Sequence, residues 1–304
     1  MDVSFDEAEG RLLACYDVEV TSRVIQVAAP PIRLRVLECG DGPPLVLLHG
    51  AGAFALQWLP LLPHLRGLRV IAPDMPGRGR SDRFSYRGID IREHSARLLE
   101  GLFDALGLDD AIVAGSSLGG YRALALAREA PERVRALCLF GSPALVLDNR
   151  DAPLAARAMS LPGVSSLLLK LSSEKSERSM WETFAGVRAV ELLPPEFVSY
   201  SYREGRLPGS SETITTLFSR VFAWRGYRDE PRWTEAELRR ITTPSTLVWG
   251  RHDRFGSVEL GTRVAAALPD ARLETLDAGH IPFFDDPARC AELIHDLATR
   301  AASG

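Results

Sequence analysis

Ala111-Ile112-Val113-Ala114-Gly115-Ser116-Ser117-Leu118-Gly119-Gly120-Tyr121 changes character at its centre. Ala111–Ala114 is a continuous apolar run, the pattern of a strand buried on both faces. Tyr121–Glu129 reads as a helix. Between them lies Gly115-Ser116-Ser117-Leu118-Gly119, a Gly-x-Ser-x-Gly. A serine on so sharp a strand-to-helix turn is held in a strained backbone conformation. Glycines two residues to either side let the neighbouring chain come close. The hydroxyl then stands at the carboxyl edge of the sheet, where the helix start aims free N–H groups and its positive dipole end.

The same alternation extends in both directions. Val24–Ala28 and Ile32–Cys39 read as two antiparallel strands, with apolar residues at 32, 34 and 36 against Arg33 and Arg35. Apolar runs recur at Leu45–Leu48, Val70–Ala72, Ala136–Phe140, Thr246–Trp249 and Arg272–Leu276. Helical stripes separate most of them. One carries Leu98, Leu99, Leu102, Phe103 and Leu106; another, begun by Asp286 as N-cap and Pro287, carries Cys290, Leu293, Ile294 and Leu297. The pattern predicts an α/β fold with a mostly parallel eight-stranded sheet flanked by helices.

The alternation stops near residue 144 and resumes near 242. The expected organisation is therefore an α/β core of residues 1–143 and 242–304, interrupted after the sixth strand by a helical cap of residues 144–241. Prolines such as Pro153, Pro162 and Pro194-Pro195 punctuate this segment. Between Trp181 and Trp233 it holds Trp181, Phe184, Phe197, Tyr200, Tyr202, Phe218, Phe222, Trp224, Tyr227 and Trp233. Most of these aromatics would fill the cap's own core. Trp181, Phe218 and Phe222 are the candidates for lining an apolar substrate pocket.

Composition narrows the function. The 304 residues are 46% hydrophobic and 25% charged, values of a globular chain. A formal charge of −4 offers no basic surface for nucleic acid. Met1–Glu7 is acidic where a signal peptide is basic, and the uncharged stretch Leu45–Leu65 is broken by Gly50, Gly52, Pro60 and Pro63, so no membrane span is expected. Cys15, Cys39, Cys138 and Cys290 are widely spaced and read as reduced thiols in a cytoplasmic protein. No HExxH or metal-ligand spacing appears, so neither metal nor cofactor is expected.

A serine hydroxyl needs a base. His64, His94 and His295 lie on helical segments among charged residues, His49 in the turn after the third strand, and His252 beside Asp253. His280 differs, because it follows the last strand in a carboxyl-end loop. Asp253, just after Thr246–Trp249, is the acid expected to hold it; Asp148 competes from the end of the sixth strand, and Asp74 reads as a turn residue. Ser117, Asp253 and His280 then follow the chain order of a nucleophile–acid–base triad on this strand arrangement. The Leu118 and Ala51 N–H groups are the expected oxyanion donors, with Gly52 as substitute for the second; Gly52 and Ser116 also face the expected substrate site.

Together these motifs resemble the α/β-hydrolase superfamily: His49-Gly50, Pro73–Asp82 (Pro-Asp-Met-Pro-Gly-Arg-Gly-Arg-Ser-Asp), the turn at Ser117, Gly250–Asp253 and Gly279-His280. The resemblance spans the core and implies the fold, the triad and the oxyanion hole. The nucleophile position holds serine, unlike the aspartate of dehalogenases and epoxide hydrolases of this fold. Ala51 breaks the His-Gly-Gly-Gly of lipase-type members. The expected function is hydrolysis of a small, largely apolar ester or lactone through an acyl-enzyme, by a monomer or homodimer. Alternatives are carbon–carbon hydrolysis of a vinylogous β-diketone, as in capped members with Gly-x-Ser-x-Gly-Gly, acyl transfer or perhydrolysis. A ligand-binding receptor on a hydrolase scaffold is the non-enzymatic rival.

Overall fold

A computed structural model describes residues 4–161, 163–229 and 231–302; Met1–Val3 and Pro162 lie outside the described residues. The chain runs α1 (Phe5–Leu13), β1 (Thr21–Val27), β2 (Ile32–Cys39), β3 (Pro44–Leu48), β4 (Arg69–Pro73), α2 (Ile91–Leu106), β5 (Ala111–Ser116), α3 (Leu118–Glu129) and β6 (Val134–Phe140). Six helices follow: α4 (Leu154–Met159), α5 (Val164–Leu171), α6 (Glu174–Phe184), α7 (Val187–Glu191), α8 (Pro195–Glu204) and α9 (Ser210–Val221). A small hairpin of β7 (Phe222–Ala223) and β8 (Gly226–Tyr227) leads to α10 (Glu235–Leu238). The chain ends with β9 (Ser245–Gly250), α11 (Val258–Ala267), β10 (Ala271–Leu276), α12 (Pro282–Asp285) and α13 (Pro287–Ala302).

Eight strands form one sheet in the order β1-β2-β4-β3-β5-β6-β9-β10. β2 pairs antiparallel with both β1 and β4, and every other pair is parallel. β1 starts earlier than the sequence pattern suggests. Its Thr21–Arg23 portion is exposed and shows no alternation, yet it pairs with Val36–Glu38 at the edge of the sheet. Along β5 the side chains alternate between two cores. Ala111 and Val113 join the side packed by α2, α3 and α11, whereas Ile112 and Ala114 join the side packed by α1 and α13. Being covered on both faces is why this strand reads as an unbroken apolar run. α2 begins at Asp90, whose carboxylate accepts from the Arg92 and Glu93 N–H groups, and ends at Gly107 in the left-handed region. Its Leu98, Leu99, Leu102 and Phe103 are buried, each stabilising by roughly 1.5–3 kcal/mol.

α1 was not apparent from hydrophobic periodicity. The local signal is Ser4, whose hydroxyl accepts from Glu7 N–H at 3.1 Å. Ala8 and Leu12 bury one face of the helix, and the Phe5 ring lies 5.2 Å from that of Tyr200 on α8. All four cysteines are free thiols. No described helix is long and apolar enough to cross a membrane.

The segment between β6 and β9 is tied at both ends. Val146 and Trp233 form a parallel bridge, with Leu147 N donating to Trp233 O and Trp233 N to Leu145 O, both at 2.8 Å. Farther along, the Phe54 ring lies 4.8, 5.5 and 6.0 Å from those of Tyr200, Phe197 and Trp181. These contacts seat α6 and α8 on a short 3-10 helix, Ala55–Trp58.

That 3-10 helix is positioned by a buried carboxylate. Asp74 accepts from Ala55 N at 2.7 Å, from Arg35 Nε at 2.6 Å and from Arg80 N at 3.2 Å. Arg35 reaches Glu9 of α1 at 3.3 Å, and the Arg35 and Asp74 side chains are both fully buried. A Cβ at Gly79 would sit 1.8 Å from Asp74 Oδ2, so this turn requires glycine, here at φ 51°. Burial alone would raise the Asp74 pKa, but Arg35 and the Ala55 N–H hold it below its ordinary value. The resulting stability is present above the unfolded carboxyl pKa and is lost as pH falls through the folded one. Asp74→Ala removes the nearer carboxylate of a buried guanidinium, leaving it Glu9 at 3.3 Å, and is expected to cost about 3–5 kcal/mol at neutral pH, measured by urea denaturation. A loss within 0.5 kcal/mol of native would contradict the anchoring role.

Candidate active site

Register brings the strand ends together. Leu48 lies opposite Gly115, Ser116 opposite Phe140, Phe140 opposite Val248, and Gly250 opposite Leu276. The loops that follow β3, β5, β6, β9 and β10 therefore leave from one edge of the sheet, and they carry Ala51, Ser117, Ser142, Asp253 and His280.

Ser117 has φ 55° and ψ −115°, outside the regions an L-residue prefers. The surroundings over-determine that conformation. Ser117 N donates to Phe140 O at 3.2 Å, and Ser117 O accepts from Tyr121 N at 3.1 Å and Ala144 N at 3.4 Å. A Cβ at Gly119 would lie 1.9 Å from Leu48 O, so α3 packs directly on the β3 backbone. Leu118 is the first residue of α3, and its N–H is among those an α-helix leaves without an intrahelical partner.

His280 Nδ1 lies 2.8 Å from Asp253 Oδ1, with the two side chains 5% and 0% exposed. Asp253 also accepts from Ser142 N at 2.8 Å and Phe255 N at 2.7 Å. A carboxylate with these partners assigns the His280 proton to Nδ1, leaving Nε2 as an acceptor. His280 Nε2 is buried and has no hydrogen-bond partner among the described residues. The Phe255 ring lies 4.2 Å from the imidazole and limits its rotation. The other candidate acids are occupied elsewhere, Asp148 with Arg263 at 2.8 Å on the surface and Asp74 with Arg35. His252 pairs with Asp277, both largely exposed.

His49 is a structural link. Its Nε2 accepts from Met75 N and its Nδ1 donates to Gly50 O, both at 2.9 Å. It thereby joins the loop after β3 to the loop after β4. Burial pushes its pKa down to about 3, so the ring is neutral through the physiological range.

One cavity is lined by Ser117, His280, Ala51, Gly52 and Ser116 together with Trp181, Phe218 and Phe222. Leu118 is not part of that lining. Phe184 and Phe255 add apolar surface that the sequence did not single out for the pocket. More unexpected are four polar residues on the same wall system, Gln57, Arg78, Glu177 and Ser201. Arg78 stood in the glycine-rich motif without a role, and Gln57, Glu177 and Ser201 carried no local signal. Arg78 donates to Ala53 O at 3.0 Å and Gly52 O at 2.6 Å, and its Nη2 lies 2.5 Å from Glu204 Oε2. Trp181 Nε1 donates to Ser201 Oγ at 2.8 Å, and Ser201 Oγ donates to Glu177. Burial raises the pKa of Glu177 and of Glu204, outweighing Arg78 nearby.

The pattern of the alpha/beta hydrolase fold matches residues 43–287. A 2-hydroxy-6-oxononadienedioate/2-hydroxy-6-oxononatrienedioate hydrolase of Paraburkholderia phymatum is 29% identical over 291 residues, covering 91% of this chain and 95% of its own. A 2-hydroxy-6-oxo-6-phenylhexa-2,4-dienoate hydrolase of Burkholderia cepacia is 29% identical over 257 residues, 82% of this chain and 85% of its own. Among solved structures, a carboxylesterase from Bacillus subtilis superposes with TM-score 0.74 at 21% identity, covering 97% of this chain and 96% of its own. A Rhodococcus 2-hydroxy-6-oxo-6-phenylhexa-2,4-dienoate hydrolase does so with TM-score 0.76 at 23% identity, over 93% and 99%.

Two measurements test this local architecture. Gly119→Ala is expected to destabilise by at least ~3 kcal/mol in urea, because its methyl meets backbone rather than a yielding side chain. Gly10→Ala on α1, with nothing within 4 Å, is the contrast and is expected to be neutral or stabilising. Equal effects would contradict the close approach of α3 to β3. As pH falls from about 6.5 toward 3, the unfolded chain protonates His49 and the native chain does not, so stability declines by up to about 1.4 kcal/mol per pH unit from this group. His49→Gln removes that contribution. The difference between native and variant urea midpoints at pH 7 and pH 4.5 reads it, and an identical pH slope in both proteins would refute it.

Proposed function

The chain belongs to the α/β-hydrolase fold family, and on that premise we propose that it is a serine hydrolase of small, largely apolar acyl compounds. The observation that carries this reading is the buried, unpartnered His280 Nε2 in the same cavity as Ser117, with Asp253 on its other nitrogen. Ser117 Oγ attacks the substrate carbonyl carbon while His280 Nε2 takes the hydroxyl proton. Asp253 holds the imidazole and stabilises its charged form. The developing oxyanion receives the Leu118 and Ala51 N–H groups, each contributing on the order of 3 kcal/mol to the transition state. When the tetrahedral adduct collapses, the bond to the leaving oxygen breaks and His280 returns the proton to it. Water then gives a proton to His280 and its oxygen to the acyl carbon; the acyl–Oγ bond breaks, His280 returns that proton to Ser117 Oγ, and a carboxylic acid is released. Residues 144–241 act as the cap, with Trp181, Phe218 and Phe222 against the apolar part of the substrate and Gly52 and Ser116 beside its reacting end.

An ester or lactone suits this machinery directly, since its leaving oxygen needs only one proton. Carbon–carbon hydrolysis of a vinylogous β-diketone is the second reading. It is supported by the named activities of relatives covering most of the chain and by Gly115–Gly120. There the leaving group is a conjugated enolate, which accepts its proton at carbon.

A fluorophosphonate probe is expected to label the native protein and not Ser117→Ala. Turnover of short esters, lactones or diketones is expected to fall on the order of 10⁴-fold or more in that variant. Absence of labelling in the native protein would overturn the hydrolase reading. The substrate panel separates the two bond types.

A further inference from the structure

The cavity contains polar atoms for which the proposed chemistry has no use. Gln57 is fully buried on the 3-10 helix Ala55–Trp58, and both its Nε2 and its Oε1 lack hydrogen-bond partners among the described residues. Arg78 is 3% exposed, and its Nη1 is likewise unpartnered. Both residues line the cavity that holds Ser117 and His280. An unmet donor or acceptor in the interior is unfavourable, because it has lost its hydrogen bonds to water without replacement. Three such atoms on two neighbouring loops of one pocket match a ligand that supplies the missing partners.

The charge balance selects the kind of partner. Arg78 is neutralised by Glu204, 2.5 Å away and fully buried, and Glu177 lines the same cavity. A carboxylate bound here would be desolvated beside two buried carboxyl groups, with the Arg78 charge already paired to Glu204. A group without net charge escapes that cost. Gln57 Oε1 requires a donor, whereas Gln57 Nε2 and Arg78 Nη1 require acceptors, so the complementary group does both.

Building on the serine-hydrolase reading, we propose that Gln57 and Arg78 form a subsite for a neutral hydrogen-bonding group, a carboxamide or a hydroxyl, carried on the part of the substrate that does not react. Their loops already belong to the catalytic edge. Arg78 binds the carbonyls of Gly52 and Ala53, so its free Nη1 is fixed relative to the loop that offers the Ala51 N–H. Asp74 holds Ala55, at the start of the helix that carries Gln57. The subsite thus sets the distance between the reacting carbonyl and a polar tail, while the aromatic wall takes the apolar length between them. Selectivity of this type rejects analogues lacking the polar group because their binding leaves Gln57 and Arg78 unpaired.

The experiment uses p-nitrophenyl esters of equal acyl length ending in methyl, carboxamide, hydroxyl or carboxylate, with the full chain. For the native enzyme, kcat/KM is expected to be at least tenfold higher for the carboxamide or hydroxyl ester than for the methyl ester at the best chain length. The carboxylate ester is expected to fall below both. In Gln57→Leu and Gln57→Met the polar-to-methyl ratio is expected to drop at least tenfold. The ratio compares two substrates on one protein, so partial loss of folded enzyme does not alter it. Preference for the carboxylate, absence of any polar preference across chain lengths, or a ratio that survives both substitutions would overturn the subsite. If fluorophosphonate labels Ser117 and esters turn over without that preference, the subsite alone fails. If the native protein neither labels nor turns over any ester, the hydrolase reading fails with it.

Discussion

The carboxylate of Asp74 is the constraint on which the site depends. It is fully buried and takes hydrogen bonds from β2, from the 3-10 helix after β3 and from the turn that follows β4. Arg35 extends the network to Glu9 of α1. One ionised group therefore joins an edge region of the sheet, the N-terminal helix and the loops beside Ser117. A buried ion pair is weak evidence of net stability, because desolvation offsets attraction. Its effect here is positional. Asp74 bonds both Arg35 and Ala55 N, so the loop containing Ala51, Gly52 and Ala53 runs into an anchored helix, and Arg78 holds two of its carbonyls there.

Against that fixed frame, Ser117 stores strain. Its positive φ, costing roughly 1–3 kcal/mol, persists because α3 cannot shift away from β3 without opening a buried contact, and its own peptide groups are bonded to β6 and to α3. His280 is constrained differently. Asp253 fixes one nitrogen, Phe255 lies along the ring, and the other nitrogen is left buried and free to accept a proton. In the proposed reaction, rigid positioning of both groups before substrate arrives reduces the reorganisation otherwise required.

The helices between β6 and β9 bring a second kind of chemistry to the cavity. Their apolar surface includes Trp181, Phe184, Phe218 and Phe222, four rings where the aromatic-rich sequence suggested three. Their polar contribution, the Trp181–Ser201–Glu177 chain and Glu204 on Arg78, is buried at the junction with the core. Low exposure raises the pKa of both glutamates. The cavity is therefore apolar in most of its area but chemically differentiated at one place.

The alternation of apolar runs and helical stripes determined the α/β class and the eight-stranded sheet, because burial on two faces removes polar residues from whole segments. Gly-x-Ser-x-Gly located the turn at Ser117 for a similarly local reason: a tight turn packed against backbone admits few residue types. Its position directly after Thr246–Trp249 favoured Asp253 over Asp148, and the folded chain puts Asp253 on His280 and Asp148 on Arg263. Other features had no local signature or an easily missed one. Helix α1 rests on the Ser4 cap and on contacts with α8, and the exposed start of β1 lacks alternation. Gln57, Arg78, Glu177 and Ser201 come from four separate segments, and nothing in their neighbours records that they share a cavity. Local sequence determines where the backbone turns and which face is buried, since those depend on adjacent residues. Which polar atoms remain unpaired inside depends on contacts between residues far apart in sequence, and only the tertiary structure decided that.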